Sequence, residues 1–326
     1  MMRKYTVSFC SVKEKYMKKR RLLAIAMVAS VAMMSVFFTA CSSSPASGSN
    51  SSQLSGQITA SGSSALEPLV AQASKDFKQK NSDVSITVNA GGSGTGLNQV
   101  ANGSVDIGNS DVAADTKLSP ELAKTLVDHT PCLVGVAIVV SSDVSVKNLT
   151  TDQLIQIFTG KVTNWNQVGG ANQKITLVTR PSSSSTRALF EKYALKGQEE
   201  SSSSLSTDDS GALKQYIQQN KGAIGYLSLS YLVGSTGVNS VSLDGVAPTL
   251  DNIYKGKYNV WGTEHMYTKG KPTGATAAFL NYIMKNYNSQ MESMGYGVTS
   301  KMQTSAVHCV GNRTYVYKRK ANRGYR

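Results

Sequence analysis

Three times in this chain an apolar run ends in a loop of serine, threonine and glycine that passes straight into a helical pattern: SGSSALEP at 61–68, GGSGTGLN at 91–98 and RPSSSSTRALF at 180–190. A strand, a donor-rich loop and a helix start form the unit of an open α/β sheet, whose ligands collect beyond the carboxyl ends of the strands. Backbone N–H groups, hydroxyls and the helix dipole make each loop a contact for an anion. Singly, each loop has a plainer reading: a capped helix start, a strain-relieving glycine turn, a surface serine run. Together, with Arg180 in one of them, they point to a small oxyanion, because a planar guanidinium meets two oxygens at once.

The stretch from Gly56 to Lys301, about 245 residues, is long enough for two modest lobes or one large domain. Ile58–Ala60 reads as a strand, followed by a helix with Leu66, Leu69, Val70, Ala73 and Phe77 on one face and capping-box spacing at Ser64 and Glu67. Val84, Ile86 and Val88 alternate as a strand, and LVGVAIVV reads as a buried one. Ser119-Pro120 starts a helix with serine as N-cap, TTDQLIQIFTG is a capped helix, KITLVT is a strand, and DSGALKQYIQQN and GAIGYLSL add a helix and a strand. The βαβα alternation predicts an α/β fold with parallel strands. Asp111, in IGNSD, suits an N-cap or a place in the site. Beside an anion a carboxylate makes sense only where the anion still carries a proton to donate.

Net charge bears on partners only once it is divided. The chain carries +14, of which residues 1–21 hold +7 and residues 303–326 hold +6 with no acid, leaving +1 for 41–302. The globular part therefore lacks the basic surface of a nucleic-acid binder, and no nucleic-acid partner is expected. Met17–Cys41 has a basic start, a long apolar stretch and small residues before a cysteine, the layout of an export signal over residues 1–40. An uncleaved membrane helix at Leu22–Ala40 is the alternative. Residues 1–16, which precede a good start at Met17, read as an over-extended start. Residues 41–55 are a polar tether with a reach of roughly 20 Å. The tail 303–326 is anomalous in composition and reads as a frameshift or assembly error, with a cationic tail touching wall polymers as the alternative. Cys132 sits alone in an apolar strand and is expected in the core, and no disulfide framework is implied.

Catalysis finds little support. A serine hydrolase built on Ser93 or Ser184 would need a base, yet the histidines are only His129, His265 and His308, no lysine follows a serine by three residues, and GGSGT is not a nucleophile elbow. Neither TGKV nor KGKY completes a phosphate-binding P-loop, and no spaced metal ligands are present. The FTGKVTNW and VWGTEHMYTKGKP stretches could meet a partner, although packing is the simpler role for Trp165 and Trp261.

In order along the chain, GSSALEPL, GGSGTGLNQVANGSVDIGNSD, IFTGKVTNWNQVGG, VTRPSSSSTRALF and GAIGYLSL resemble the phosphate-binding lipoproteins of bacterial ABC phosphate importers, over most of 56–300. The resemblance implies an α/β, two-lobed periplasmic-binding-protein-like fold of type II, with the ligand in the inter-lobe cleft. By this analogy residues 56–135 plus 241–302 form the first lobe and 136–240 the second. It implies that Ser64, the backbone at Ala65, Ser93 and Asp111 line one side of a phosphate site, and Arg180, Ser184, Ser185 and Thr186 the other. Asp111 would accept a proton from phosphate and repel sulfate, while Arg187 plays a structural role. The ending FTAC resembles a lipobox, which makes Cys41 a lipid anchor on the extracytoplasmic face of the cell membrane. Implied partners are inorganic phosphate, a membrane permease and the membrane through that anchor. No cofactor, metal or catalysis is expected. A binding protein for another oxyanion, such as sulfate or molybdate, is the nearest alternative. At RPSSSST the chain departs from the family, which more often carries an acidic residue and glycines there.

Overall fold

The computed structural model describes residues 53–303, 307–310 and 313–316. The readings for Cys41, the export signal and most of the tether and tail lie outside these residues. Among the strands, in chain order, are β1 (Gly56–Gly62), β2 (Val84–Ala90), β3 (Ile107–Ser110), β4 (Leu126–His129), β5 (Leu133–Ser141), β6 (Asn148–Leu149) and β7 (Thr176–Thr179). There follow β8 (Leu205–Ser206), β9 (Ala223–Ser228), β10 (Val238–Leu243), β11 (Trp261–Thr263), β12 (His265–Lys269) and β13 (Tyr296–Gly297). Among the helices are α1 (Glu67–Lys80), α2 (Ser93–Asn102), α3 (Pro120–Ala123), α4 (Thr151–Phe158), α5 (Ser185–Tyr193), α6 (Ser210–Gln219), α7 (Leu250–Tyr254) and α8 (Gly274–Asn286).

One sheet runs β2-β1-β3-β12-β4, and another runs β6-β10-β5-β9-β7-β8 with β11 and β13 also paired to β5. Both are mixed rather than parallel. β1 pairs parallel with β2 and β3, but β12 enters antiparallel, as do β9 and β10 against β5. A βα alternation specifies crossovers inside each lobe and says nothing about strands that return from the other lobe. Each sheet has its own core. α1, with Leu69, Val70, Ala73 and Phe77 buried as its periodicity predicts, packs with Phe279 and Ile283 of α8 on the first sheet. The all-buried β5 anchors the second, with Phe158, Trp165, Phe190 and Tyr226 around it. Each of the larger aliphatic and phenylalanine side chains removed from water contributes about 1.5–3 kcal/mol.

Residues 135/136 and 240/241, the expected lobe boundaries, fall inside β5 and β10 of the second sheet. The chain passes between the sheets instead at the link from β4 to β5, at Glu264 between β11 and β12, and again between β12 and β13. The first two passages touch, since the Glu264 N–H donates to the Cys132 carbonyl at 2.9 Å. Cys132, Trp165 and Trp261 are buried, as packing residues would be. The expected caps form at α3, through Ser119 before Pro120, and at α4, where Thr150 and Gln153 make a full capping box.

A buried carboxylate and arginine at the meeting of four loops

The loop after β1 uses its serines differently from the sequence expectation. α1 begins at Glu67 with no side-chain cap, so Ser64 and Glu67 form no capping box. It is Ser63 whose Oγ accepts the N–H groups of Ala65 and Leu66, both at 3.1 Å, and donates to Asp111 Oδ1. Ser64 is thereby free to reach the other lobe, where its Oγ donates to the Asp208 carbonyl at 2.9 Å and accepts the Ser210 N–H at 3.1 Å.

The loop after β2 turns at Gly92 with φ +83°, a conformation that favours glycine, and delivers Ser93 to the first turn of α2. Ser93 Oγ accepts the Asp111 N–H at 3.2 Å and faces Asp111 Oδ1 at 3.5 Å. Asp111 itself, just past β3, is 1% exposed and caps no helix. Its other oxygen accepts the hydroxyl of Thr186 from the second lobe. Three hydroxyls from three loops thus converge on one buried carboxylate.

The loop after β7 places Arg180 at 1% exposure. Nη1 donates to the Asp208 carbonyl at 3.1 Å and Nη2 to Ser210 Oγ at 3.0 Å, while Nε has no hydrogen-bond partner. The guanidinium lies over the Tyr226 ring at 5.7 Å and 3.8 Å from the Asp208 carboxylate. Asp208, 28 residues further along the chain, supplies the acid that the serine run lacks. Burial raises the Asp208 pKa above the ordinary carboxylate range, against a Ser184 hydrogen bond and the Arg180 charge. The serines that stand in place of glycines need no special backbone, because among the described residues only Lys196 and Asp244 have positive φ without being glycine.

Ser184 is the N-cap of α5, with its Oγ accepting the Arg187 N–H at 3.3 Å. Ser185 Oγ is buried without a partner. A capped helix still leaves its first N–H groups unsatisfied, here those of Ser185 and Thr186. Arg187 donates to the Arg180 carbonyl at 2.8 Å and to Glu191 at 2.9 Å, partners that suit a structural role. Glu200 accepts the Arg180 N–H and the Tyr226 hydroxyl, and burial raises its pKa to about 7.

The structure therefore brings Ser64, Ser93, Asp111, Arg180, Ser184, Ser185 and Thr186 to one place, with Ala65 on its rim through an N–H already spent on Ser63. Sequence reasoning missed Ser63, Asp208, Ser210, Glu200 and Lys117, whose Nζ crosses to the Ser182 carbonyl at 2.9 Å. A signal existed for two of them. LSTDDSGAL is a fourth strand, polar loop and helix start, with Asp209 as the cap of α6. Among the described residues no cluster of side chains suits a metal ion, and no helix is long and apolar enough to cross a membrane.

The chain is 46% identical to the phosphate-binding protein PstS of Bacillus subtilis over 271 residues, 82% of this chain and 89% of that one. A Clostridium perfringens protein solved with phosphate bound superposes with a TM-score of 0.67 at 29% identity, covering 74% of this chain and 98% of the other. An ABC-type phosphate transport receptor from Vibrio cholerae gives 0.55 at 27% identity, over 74% and 100% of the two chains. Residues 47–286 match the PBP superfamily domain, and with the PstS relationship this establishes that the chain belongs to the PBP superfamily and, within it, to the PstS family of phosphate-binding proteins.

Proposed function

We propose that the protein captures inorganic phosphate outside the cytoplasm and hands it to the membrane permease of an ABC importer. The observation that carries this reading is the pairing of Arg180 with Asp111 in one buried site. Arg180 has an unpartnered Nε and Ser185 an unpartnered hydroxyl, while Asp111 is a carboxylate that can only accept. Buried donors without acceptors are costly, so the site is built to receive an anion. A buried acceptor beside that anion selects one that keeps a proton, as phosphate does near neutral pH and sulfate does not. In this reading Arg180 supplies the full positive charge, and Ser93, Ser184, Ser185, Thr186, Ser64 and the amides at the start of α5 disperse the rest, while the Ala65 N–H stays with Ser63.

The serines of the site have carboxyl, hydroxyl and amide partners in place of the imidazole that a hydrolase would require, which supports binding without catalysis. Closure of the lobes would present a surface to the permease. Retention at the membrane is assigned to Cys41 on the strength of its lipobox-like context. Calorimetric titration of the detergent-solubilised protein, freed of co-purified phosphate by unfolding and refolding, tests the central claim. Saturable heat with phosphate and none with sulfate is expected. Equal response to sulfate would favour a general oxyanion binder, and turnover of a chromogenic ester would restore an enzymatic reading.

A further inference from the structure

Glu264 has no part in the anion site as described, yet it is completely buried where the lobes join. β12 runs antiparallel to β3 with His265 opposite Ser110, so the next pair toward the cleft is Glu264 opposite Asp111. The Glu264 backbone is fixed by its hydrogen bond to Cys132 of the other passage. No donor reaches either of its carboxyl oxygens. The groups that face it are the Asp111 carboxyl from the end of β3, the Cys132 thiol from the passage into β5 and Tyr296 from β13, with no cation among them. Tyr296 spends its hydroxyl on the Ala65 carbonyl at 2.6 Å.

Two carboxyls that meet out of water hold a proton between them, and its position follows the hydrogen bonds each group can make as an anion. Asp111 has hydroxyls from Ser63, Ser93 and Thr186. Glu264 has none. An ionised Glu264 would be an uncompensated buried charge.

We propose that Glu264 is a specificity-determining partner of Asp111, a neutral carboxylic acid set beside it by the β3–β12 register that keeps the pair's proton on the inter-lobe passage and the charge on the cleft side. Burial first, and then the Asp111 charge and carboxyl, hold the Glu264 pKa well above the carboxylate range. Asp111 can then meet the ligand only as an acceptor. A fully deprotonated anion would need the proton to move onto Asp111, which would strand a charge on Glu264 where nothing stabilises it. Discrimination between protonated and unprotonated oxyanions therefore extends to mildly acid solution. The inference rests on the reading of Asp111 as acceptor of the ligand's proton.

Phosphate and sulfate are titrated into the wild-type protein and the E264Q, E264L and D111N variants at about pH 8 and about pH 5, on either side of neutral imidazole titration. Glutamine keeps the volume and a donor, so E264Q should hold the phosphate-to-sulfate affinity ratio within roughly threefold of wild type at both values. E264L should match wild type at the alkaline value and lose roughly tenfold or more of that ratio at the acid one, a difference of about 1.4 kcal/mol. An unchanged ratio in folded E264L, or an equal loss in E264Q, overturns the role of Glu264. D111N separates the two claims. If D111N loses selectivity at both values while E264L does not, the Glu264 inference alone fails, and if D111N keeps full selectivity, the reading of the site fails with it. Should E264L not fold, the infrared spectrum of wild type decides. The C=O stretch of an un-ionised carboxylic acid at the alkaline value, absent from E264Q, is expected, and its absence from wild type overturns the proposal.

Discussion

Gly92 on the first lobe lies so close to Asp208 on the second that a Cβ at position 92 would stand 1.8 Å from the Asp208 carboxylate. Asp208 is not free to swing away, since it is tied to Ser184 and faces the Arg180 guanidinium. Gly92 also has φ +83°. Gly92→Ala should therefore both strain the turn, by about 1–2 kcal/mol, and obstruct closure. The expected outcome is a folded protein whose phosphate affinity falls roughly tenfold or more, with reduced ligand-induced compaction in small-angle scattering. Wild-type affinity would mean that the lobes need not come this close.

Ser185 offers a cleaner probe, because its hydroxyl is buried and makes no hydrogen bond within the protein. Ser185→Ala removes nothing that the unliganded fold uses. Its melting temperature should stay at or slightly above that of wild type, while phosphate affinity drops by about 1.5–3 kcal/mol, the value of a hydrogen bond to a charged group. A drop in melting temperature without a change in affinity would place Ser185 in the scaffold.

Arg187 should behave in the opposite way. It ties the Arg180 carbonyl to Glu191 and lies 3.5 Å from Glu200. Arg187→Ala is expected to cost about 1–3 kcal/mol in chemical unfolding, as the loss of a partly buried hydrogen-bond network does, with the preference for phosphate over sulfate unchanged. Loss of that preference would bring Arg187 into contact with the ligand.

Glu200 makes stability depend on pH with a definite sign. Its folded pKa of about 7 lies above the usual carboxylate value of 4.5 because burial outweighs the help of the Arg180 N–H and the Arg187 charge. The unfolded chain gives up this proton first. The stabilisation is therefore complete below about pH 4.5 and is lost as pH rises toward 7, a change on the order of 3 kcal/mol. Glu200→Gln should flatten this slope, so that the gap between variant and wild-type stability grows in favour of the variant from acid to neutral solution. Parallel pH profiles in thermal unfolding would count against a raised pKa.

The expectations from sequence held best where a local pattern and its physical cause coincide. The apolar face of α1, the all-buried β5 and the box at Thr150 and Gln153 were each legible from a few consecutive residues. The lobe boundaries were not, because local pattern does not say which sheet a strand such as β10 joins. The misjudged cap shows the same limit. Ser63 and Ser64 are chemically identical neighbours, and the turn after β1 directs one toward Asp111 and the other across the cleft.

Chain order alone determined the repeated strand, donor loop and helix start, and with it the kind of ligand the loops could hold, because backbone donors and dipoles at a helix start follow from local geometry. Tertiary structure decided which atoms share the site. Asp208 and Ser210 reach Arg180 from about thirty residues away, and Glu264 meets Asp111 across 153. Such meetings depend on strand register and on the angle at which two lobes close, and a one-residue slip between β3 and β12 would take Glu264 away from Asp111.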